Sequence, residues 1–267
     1  MNSHKSSHPT GDLPVALSIA GSDSGAGAGI QADLLTFAAN GVYGTTAITC
    51  LTAQNPRGVS GVQAATPAFV VEQCRQVATH FRPRALKTGM LLEVGIVEAV
   101  ADFIAAAGIP AVVDPVMVAS SGATLLSPEA VEAVRHRLLP LAAVVTPNLD
   151  EATILLGRPA RGGEGGAAEA VELARRYGVP FLLKGGHADG DDLVDVLAWP
   201  DGRTQTWRAR RVPGIDTHGS GCTLSAAIAA HLARNEALAA AVGLAHAYLQ
   251  SGMQSPLQVV NIKHIRH

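Results

Sequence analysis

An α/β fold, with helices covering a buried and mostly parallel sheet, is what this sequence predicts, and three observations carry the prediction. Short β-branched or apolar runs alternate with longer Ala-rich segments of helical period along almost the whole chain. The residues are 48% hydrophobic but only 4% aromatic, so the core must come from Ala, Val, Leu and Ile, a mixture that suits Ala-rich helices on a parallel sheet. At 267 residues the chain exceeds a typical single domain, yet open α/β folds of this size commonly form around one sheet.

The elements follow in order. Val15 to Ala20 reads as a strand, Ile30 to Asn40 as a helix and Gly44 to Leu51 as a second strand, a βαβ opening. A helix over Pro67 to His80, a strand near Ala85 to Thr88, a helix over Gly95 to Ala107 and a strand over Ala111 to Asp114 repeat the pattern. Next come a helix over Pro128 to Leu139, a strand over Ala143 to Thr146, helices from Leu149 and over Ala167 to Tyr177, and a strand over Pro180 to Lys184. Leu193 to Trp199 and Thr204 to Arg208 flank Pro200-Asp201-Gly202-Arg203, and Asp-Gly favours a tight turn, so the pair reads as a hairpin at the sheet edge. Helices over Gly221 to Ala233 and Glu236 to Gln250 close the pattern. Gly162, Gly163, Gly165 and Gly166 have Arg161 and Glu164 as neighbours rather than a P-loop lysine, and read as a flexible connection. Residues 1–12 are Ser/His-rich and polar, which predicts a disordered tail; 13–254 are expected to form one domain, and 255–267 a C-terminal tail.

A formal charge of −2, with no long Lys/Arg block, gives little attraction for nucleic acid or an anionic membrane. No apolar run reaches membrane-spanning length, and the first residues lack the apolar stretch of a signal peptide. Cys50, Cys74 and Cys222 show neither paired nor metal-ligand spacing, which suits a reducing compartment and predicts a cytoplasmic protein. The ten histidines contain no H-E-x-x-H motif or Cys/His cluster, so a zinc enzyme has little support.

Two loops carry chemistry. Ala20 to Asp33 holds a glycine-rich turn between strand and helix, where backbone can approach a ligand closely. Gly27-Ala28-Gly29-Ile30-Gln31-Ala32 fits the relaxed dinucleotide pattern G-x-G-x-x-A, but no Asp or Glu occurs between Asp33 and Glu72 to take ribose hydroxyls, which argues against a nicotinamide or flavin enzyme. In the second loop, Asp216 to Leu224, small residues precede an Ala-rich helix whose first turn leaves N–H groups unpaired. Donors from Gly219, Ser220 and Gly221 would stabilise charge on a transferring phosphoryl group. Cys222 beside them should have a lowered pKa at a helix N-terminus and could accept a proton from an attacking hydroxyl; taken alone, it would read as a small buried thiol. His218 lies in the same loop, as a phosphate contact or a turn residue, and His187 follows Lys184-Gly185-Gly186 with the same ambiguity.

Together these stretches resemble the hydroxymethylpyrimidine and phosphomethylpyrimidine kinases of thiamine biosynthesis, within the ribokinase-like superfamily. Ala20-Gly21-Ser22-Asp23, Gly29-Ile30-Gln31-Ala32-Asp33, Ala53-Gln54-Asn55, Lys87-Thr88-Gly89-Met90, Asp114-Pro115-Val116-Met117, Thr146-Pro147-Asn148, Lys184-Gly185-Gly186-His187 and the Cys222 loop fall in family order over roughly Val15 to Leu249. Most sugar kinases of the superfamily have Asp where Cys222 stands, so the Cys resembles the pyrimidine and pyridoxal branch. The resemblance implies a three-layer αβα fold and a homodimer.

It also implies that Gly21, Asp33, Gln54, Met90 and Val116 surround the pyrimidine. Gln54 offers an acceptor and two donors to a ring nitrogen beside an exocyclic amine, Met90 and Val116 supply apolar walls, and Asp33 could fix a polar substituent. Without the resemblance, Gln54 would read as a solvated loop residue and Met90 and Val116 as core. Asp114, Asn148 and Glu151 are implied near Mg²⁺ and its waters, with Lys184 and Asn148 on the ATP phosphates; helix N-terminal charge is the competing reading of Glu151. Four departures stand out: Ser220 where Thr is commoner, Ala26 where Gly is usual, the Gly162 patch, and an ending without glycine-rich sequence. The implied activity is ATP- and Mg²⁺-dependent phosphorylation of 4-amino-5-hydroxymethyl-2-methylpyrimidine and of its monophosphate. The alternatives are a pyridoxal or pyridoxine kinase and a nucleotide-binding protein without catalysis.

Overall fold

The structure is a computed structural model that describes residues 12–118, 126–186 and 191–267. The expected tail over 1–12 therefore lies outside the described residues except for Asp12, and His187 lies outside them too. The chain builds a nine-stranded sheet from β1 (Val15–Asp23), β2 (Tyr43–Asn55), β3 (Gly58–Ala64), β4 (Ala85–Thr88), β5 (Ala111–Val113), β6 (Val144–Val145), β7 (Phe181–Leu183), β8 (Asp192–Ala198) and β9 (Thr204–Arg210). Its order is β3-β2-β1-β4-β5-β6-β7-β8-β9. The six strands from β2 to β7 in that order are parallel, and β3, β8 and β9 add antiparallel margins.

Alternation of side chains gives the parallel strands two buried faces. Leu86, Ala111, Val113, Val145, Phe181 and Leu183 pack toward α2 (Pro67–Phe81), α3 (Val94–Ala107), α4 (Pro128–Ala133), α5 (Leu149–Leu156) and α6 (Gly166–Tyr177). Ala16, Ala85, Val112, Val144 and Leu182 pack toward α7 (Ser220–Ala233) and α8 (Leu238–Gln254), with Phe37 of α1 (Gly29–Ala39) on the same side. The result is the expected αβα sandwich. Among the described residues no helix is long and apolar enough to cross a membrane.

Four differences from the sequence reading have physical reasons. β3 was not expected, because all seven of its residues are exposed and show no alternation. The helix expected over Pro128 to Leu139 changes after Ala133 into a π turn over Val134–Leu138 and a 3₁₀ turn over Leu139–Leu141, where Pro140 lacks an N–H. The glycine patch is anchored rather than loose: the buried Glu169 carboxylate accepts from the N–H of Arg161 (2.8 Å) and of Gly162 (3.4 Å). The stretch read as a C-terminal tail contains a hairpin, β10 (Leu257–Val259) with β11 (Ile262–His264), and Ile265 is 5% exposed in the core beside α8.

The strand order places the functional crevice. From β1 the chain moves through α1 to β2 on one side, whereas from β4 it moves through α3 to β5 on the other, so a switch point opens between the C-terminal ends of β1 and β4.

Candidate active site

Both glycine-rich loops converge on this crevice and interlock. The Asp23 carboxylate, at the end of β1, accepts from the N–H groups of Gly25 (2.8 Å), Gly27 (3.1 Å) and Ala28 (2.9 Å), which curls the first loop around it. Burial would raise its pKa, but His218 and these amides outweigh burial and hold it below the usual range. Gly219 has φ +82°, and a Cβ there would stand 1.8 Å from the Gly27 carbonyl oxygen, so only glycine lets the second loop seat on the first. His218 Nε2 lies 3.3 Å from Asp23 Oδ2, and that hydrogen bond raises the imidazole pKa against burial.

The second loop opens α7 as an anion site, with one change of donor. Ser220 N–H bonds back to the Thr217 carbonyl at 3.0 Å, so the expected contribution of Ser220 to the anion hole is corrected: its donor closes the turn. The N–H groups of Gly219, Gly221 and Cys222 have no hydrogen-bond partner among the described residues. Gly221 brings this helix end against the nucleotide-side residues, since a Cβ on it would be 3.2 Å from Lys184 Nζ and 3.6 Å from Asp114 Oδ2. Lys184 Nζ reaches Asp114 Oδ1 at 3.2 Å, and Ser225 Oγ, 2.8 Å from the Gly221 carbonyl oxygen, stands 3.3 Å from Asp114 Oδ2. Burial would lower the Lys184 pKa, but the charges of Asp114 and Glu151 outweigh it and raise it.

Cys222 stands in the first turn of α7, and the N–H of Gly29, the first residue of α1, is near enough to its Sγ to favour the thiolate. Two helix N-termini thus lie beside one sulfur. The expected lowered pKa is nevertheless corrected: burial of the thiol outweighs the favourable Lys87 ammonium and pushes it above its ordinary value, although the residue keeps some surface.

Beneath the sulfur lies an ion pair that the sequence reading missed. Lys87 of β4 is fully buried, its Nζ 2.8 and 2.9 Å from the two Asp33 oxygens, while Ser18 Oγ donates to Asp33 Oδ2 at 2.5 Å. Burial opposes the Lys87 charge, but Asp33 first, then Cys222 and Asp114, hold its pKa above the usual value. Asp33 is therefore no open acceptor for a substrate: it is 0% exposed and both oxygens are engaged. A lysine inside a strand otherwise read as buried was the available signal.

Of the remaining expected residues, Gly21 and Met90 are brought together, since a Cβ on Gly21 would meet Met90 Cε at 3.0 Å. Gln54, at the end of β2, exchanges bonds with Ser24 of the first loop and lies 3.1 Å from His218 through its amide nitrogen. Val116 follows Asp114 and has φ +44°, a strained conformation for a β-branched residue. Among the described residues no hydrogen bond ties Val116 to Gln54 or Met90. Asn148 and Glu151 form a capping box at the start of α5, each side chain accepting from the other's N–H at 2.8 Å, and Met117 N–H donates to Glu151 at 3.2 Å. Burial first, with Asp114 adding, pushes Glu151 up to about 7 against the pull of Lys184.

Among the described residues no group of three or more His, Cys, Asp or Glu side chains could hold a metal by itself. A divalent ion that keeps its waters and shares phosphate oxygens still fits here: two buried carboxylates, Asp114 and Glu151, stand close enough for the Asp114 charge to raise the Glu151 pKa, with the Lys184 ammonium near both.

The chain matches the family model described as phosphomethylpyrimidine kinase over residues 23–265. It is 48% identical over 243 residues to a Rhizobium meliloti protein named hydroxymethylpyrimidine/phosphomethylpyrimidine kinase, covering 90% of this chain and 91% of the relative. A crystal structure of phosphomethylpyrimidine kinase from Clostridium difficile superposes with a TM-score of 0.79 at 36% identity, over 90% of this chain and 99% of that one. Pyridoxal kinase from Staphylococcus aureus, in complex with AMP-PCP and pyridoxal, gives a TM-score of 0.86 at 31% identity, over 96% and 94% of the two chains.

Proposed function

The chain belongs to the phosphomethylpyrimidine kinase family, with the family's three-layer ribokinase-like fold, and from that premise we infer that it transfers the γ-phosphoryl group of ATP to 4-amino-5-hydroxymethyl-2-methylpyrimidine and then to the monophosphate, in thiamine biosynthesis. One observation carries the reading: the unpaired N–H groups of Gly219, Gly221 and Cys222 meet Lys184 and Asp114 in the crevice between β1 and β4.

In this reading those amides hold the transferring phosphoryl group, and Lys184 balances charge on the nucleotide phosphates. Mg²⁺, held through water by Asp114 and Glu151, would supply further neutralisation of phosphate charge. Gly21, Met90 and Val116 line the ring and Gln54 reads its polar edge, while Asp33 acts from below by holding Lys87. Asn148 serves the nucleotide side by fixing the start of α5 beside Asp114. Cys222 takes the hydroxyl proton as a thiolate, favoured by the Gly29 N–H, both helix ends and Lys87. Such a base must remain reduced, which together with three free cysteines supports a cytoplasmic protein. The exposed apolar residues of the β2–β3 margin, Leu51, Val59 and Val62, support a homodimer.

A coupled ATP-consumption assay with Mg²⁺ tests the assignment, with hydroxymethylpyrimidine, its monophosphate and pyridoxal compared side by side. Turnover of both pyrimidines is expected. Turnover with pyridoxal alone would move the protein to a vitamin B6 kinase, and ATP consumption independent of any alcohol would overturn the kinase reading.

A further inference from the structure

We propose that His218 and Thr52 hold the side-chain amide of Gln54 in one direction, and so fix the order in which it offers acceptor and donor to the heteroaromatic ring; this rests on the placement of Gln54 in the substrate crevice proposed above. A count of donors sets the direction. His218 Nε2 lies 3.3 Å from Asp23 Oδ2 and 3.1 Å from the end of the Gln54 amide. An ionised carboxylate only accepts, so Nε2 must carry a hydrogen to face it. Asp23 is held ionised by its loop amides, and Asp216, which accepts from the His218 N–H at 3.0 Å, adds negative charge in the same sense. His264 stands 3.8 Å from Asp216 Oδ2 through Nδ1. A protonated Nε2 is satisfied by the Gln54 oxygen and repelled by its NH₂.

The other end of the amide makes the same demand. Thr52 Oγ1 is 2.9 Å from the Ser22 carbonyl oxygen and 3.2 Å from the Gln54 amide. A hydroxyl has one hydrogen, and a carbonyl can only accept it, so Thr52 donates to Ser22 and presents Gln54 with a lone pair. That lone pair calls for an amide N–H. With Oε1 toward His218, sharing the one Nε2 hydrogen with Asp23, and Nε2 toward Thr52, no donor faces a donor and no acceptor an acceptor; this is a half-turn from the direction in which the amide nitrogen faces His218. The half-turn exchanges donor and acceptor on the edge left for a ligand. His218 and Thr52 are thus positioning residues that set on which side Gln54 offers its donor to a ring nitrogen and on which its acceptor to the exocyclic amine beside it.

The test has two arms on the full chain. Long-range proton–nitrogen NMR of the histidine-labelled protein, with the His218→Asn variant for assignment, should show a hydrogen on His218 Nε2 between about pH 6.5 and 8. An unprotonated Nε2, with the hydrogen on Nδ1, overturns the proposal whatever the substrate proves to be. In the kinetic arm, Thr52→Val should raise KM for the aminopyrimidine alcohol roughly tenfold, with kcat changed less than roughly threefold and the KM of pyridoxal unmoved. An equal change for both rings, or none for either, overturns it. Absence of pyrimidine turnover in the unmodified enzyme would instead sink the functional reading, and the NMR arm would still decide the direction of the amide.

Discussion

Replacing Cys222 by alanine leaves the loop amides in place and removes only the sulfur between the two helix ends. With Cys222 as base, kcat should fall roughly a hundredfold or more while KM changes little. Its raised pKa adds a second requirement: kcat should climb with pH from neutrality to beyond the ordinary thiol value of 9.0. A flat profile, with Cys222→Ala still active, would mean that the hydroxyl proton passes to a phosphoryl oxygen rather than to Cys222. Lys87 offers a test at the same scale. Lys87→Met abandons the Asp33 carboxylate in a site with no access to water, and should cost about 3–5 kcal/mol in urea unfolding. Adding Asp33→Leu should restore much of that loss, because a buried pair removed whole leaves no unpaired charge.

At the scale of elements, the start of α7 depends on its left-handed N-cap. Gly219→Ala forces apart the two loops, whose backbones touch at that point, and should abolish turnover even where circular dichroism still reports a folded chain. The start of α5 has a pH signature. The folded pKa of Glu151, about 7, exceeds its ordinary 4.5, so the folded protein holds this proton longer. The corresponding stability is complete below about pH 4.5 and is lost as pH rises through 7, by on the order of 2 kcal/mol. Denaturant unfolding at pH 5 and 8 should show that difference in the parent and a smaller one in Glu151→Gln, which keeps the capping acceptor.

Across the whole molecule, the unpaired β3 edge with its apolar neighbours should be covered by a second copy, and light scattering should give twice the chain mass of 27.4 kDa. A monomeric mass would contradict the homodimer. The sequence by itself determined the alternation of strands and helices, since a buried parallel strand and an Ala-rich helix each write their period locally, and both glycine-rich loops, since close backbone approach admits little else. It missed β3, whose exposed residues carry no period. Only the tertiary structure decided what the side chains do. Asp33 and Lys87 are 54 residues apart and Asp23 and His218 are 195 apart, and nothing local records that they meet. Cys222 makes the same point through energy: a helix N-terminus lowers a thiol pKa and is visible in sequence, but the burial that reverses the shift is produced by chain segments folded over it from elsewhere.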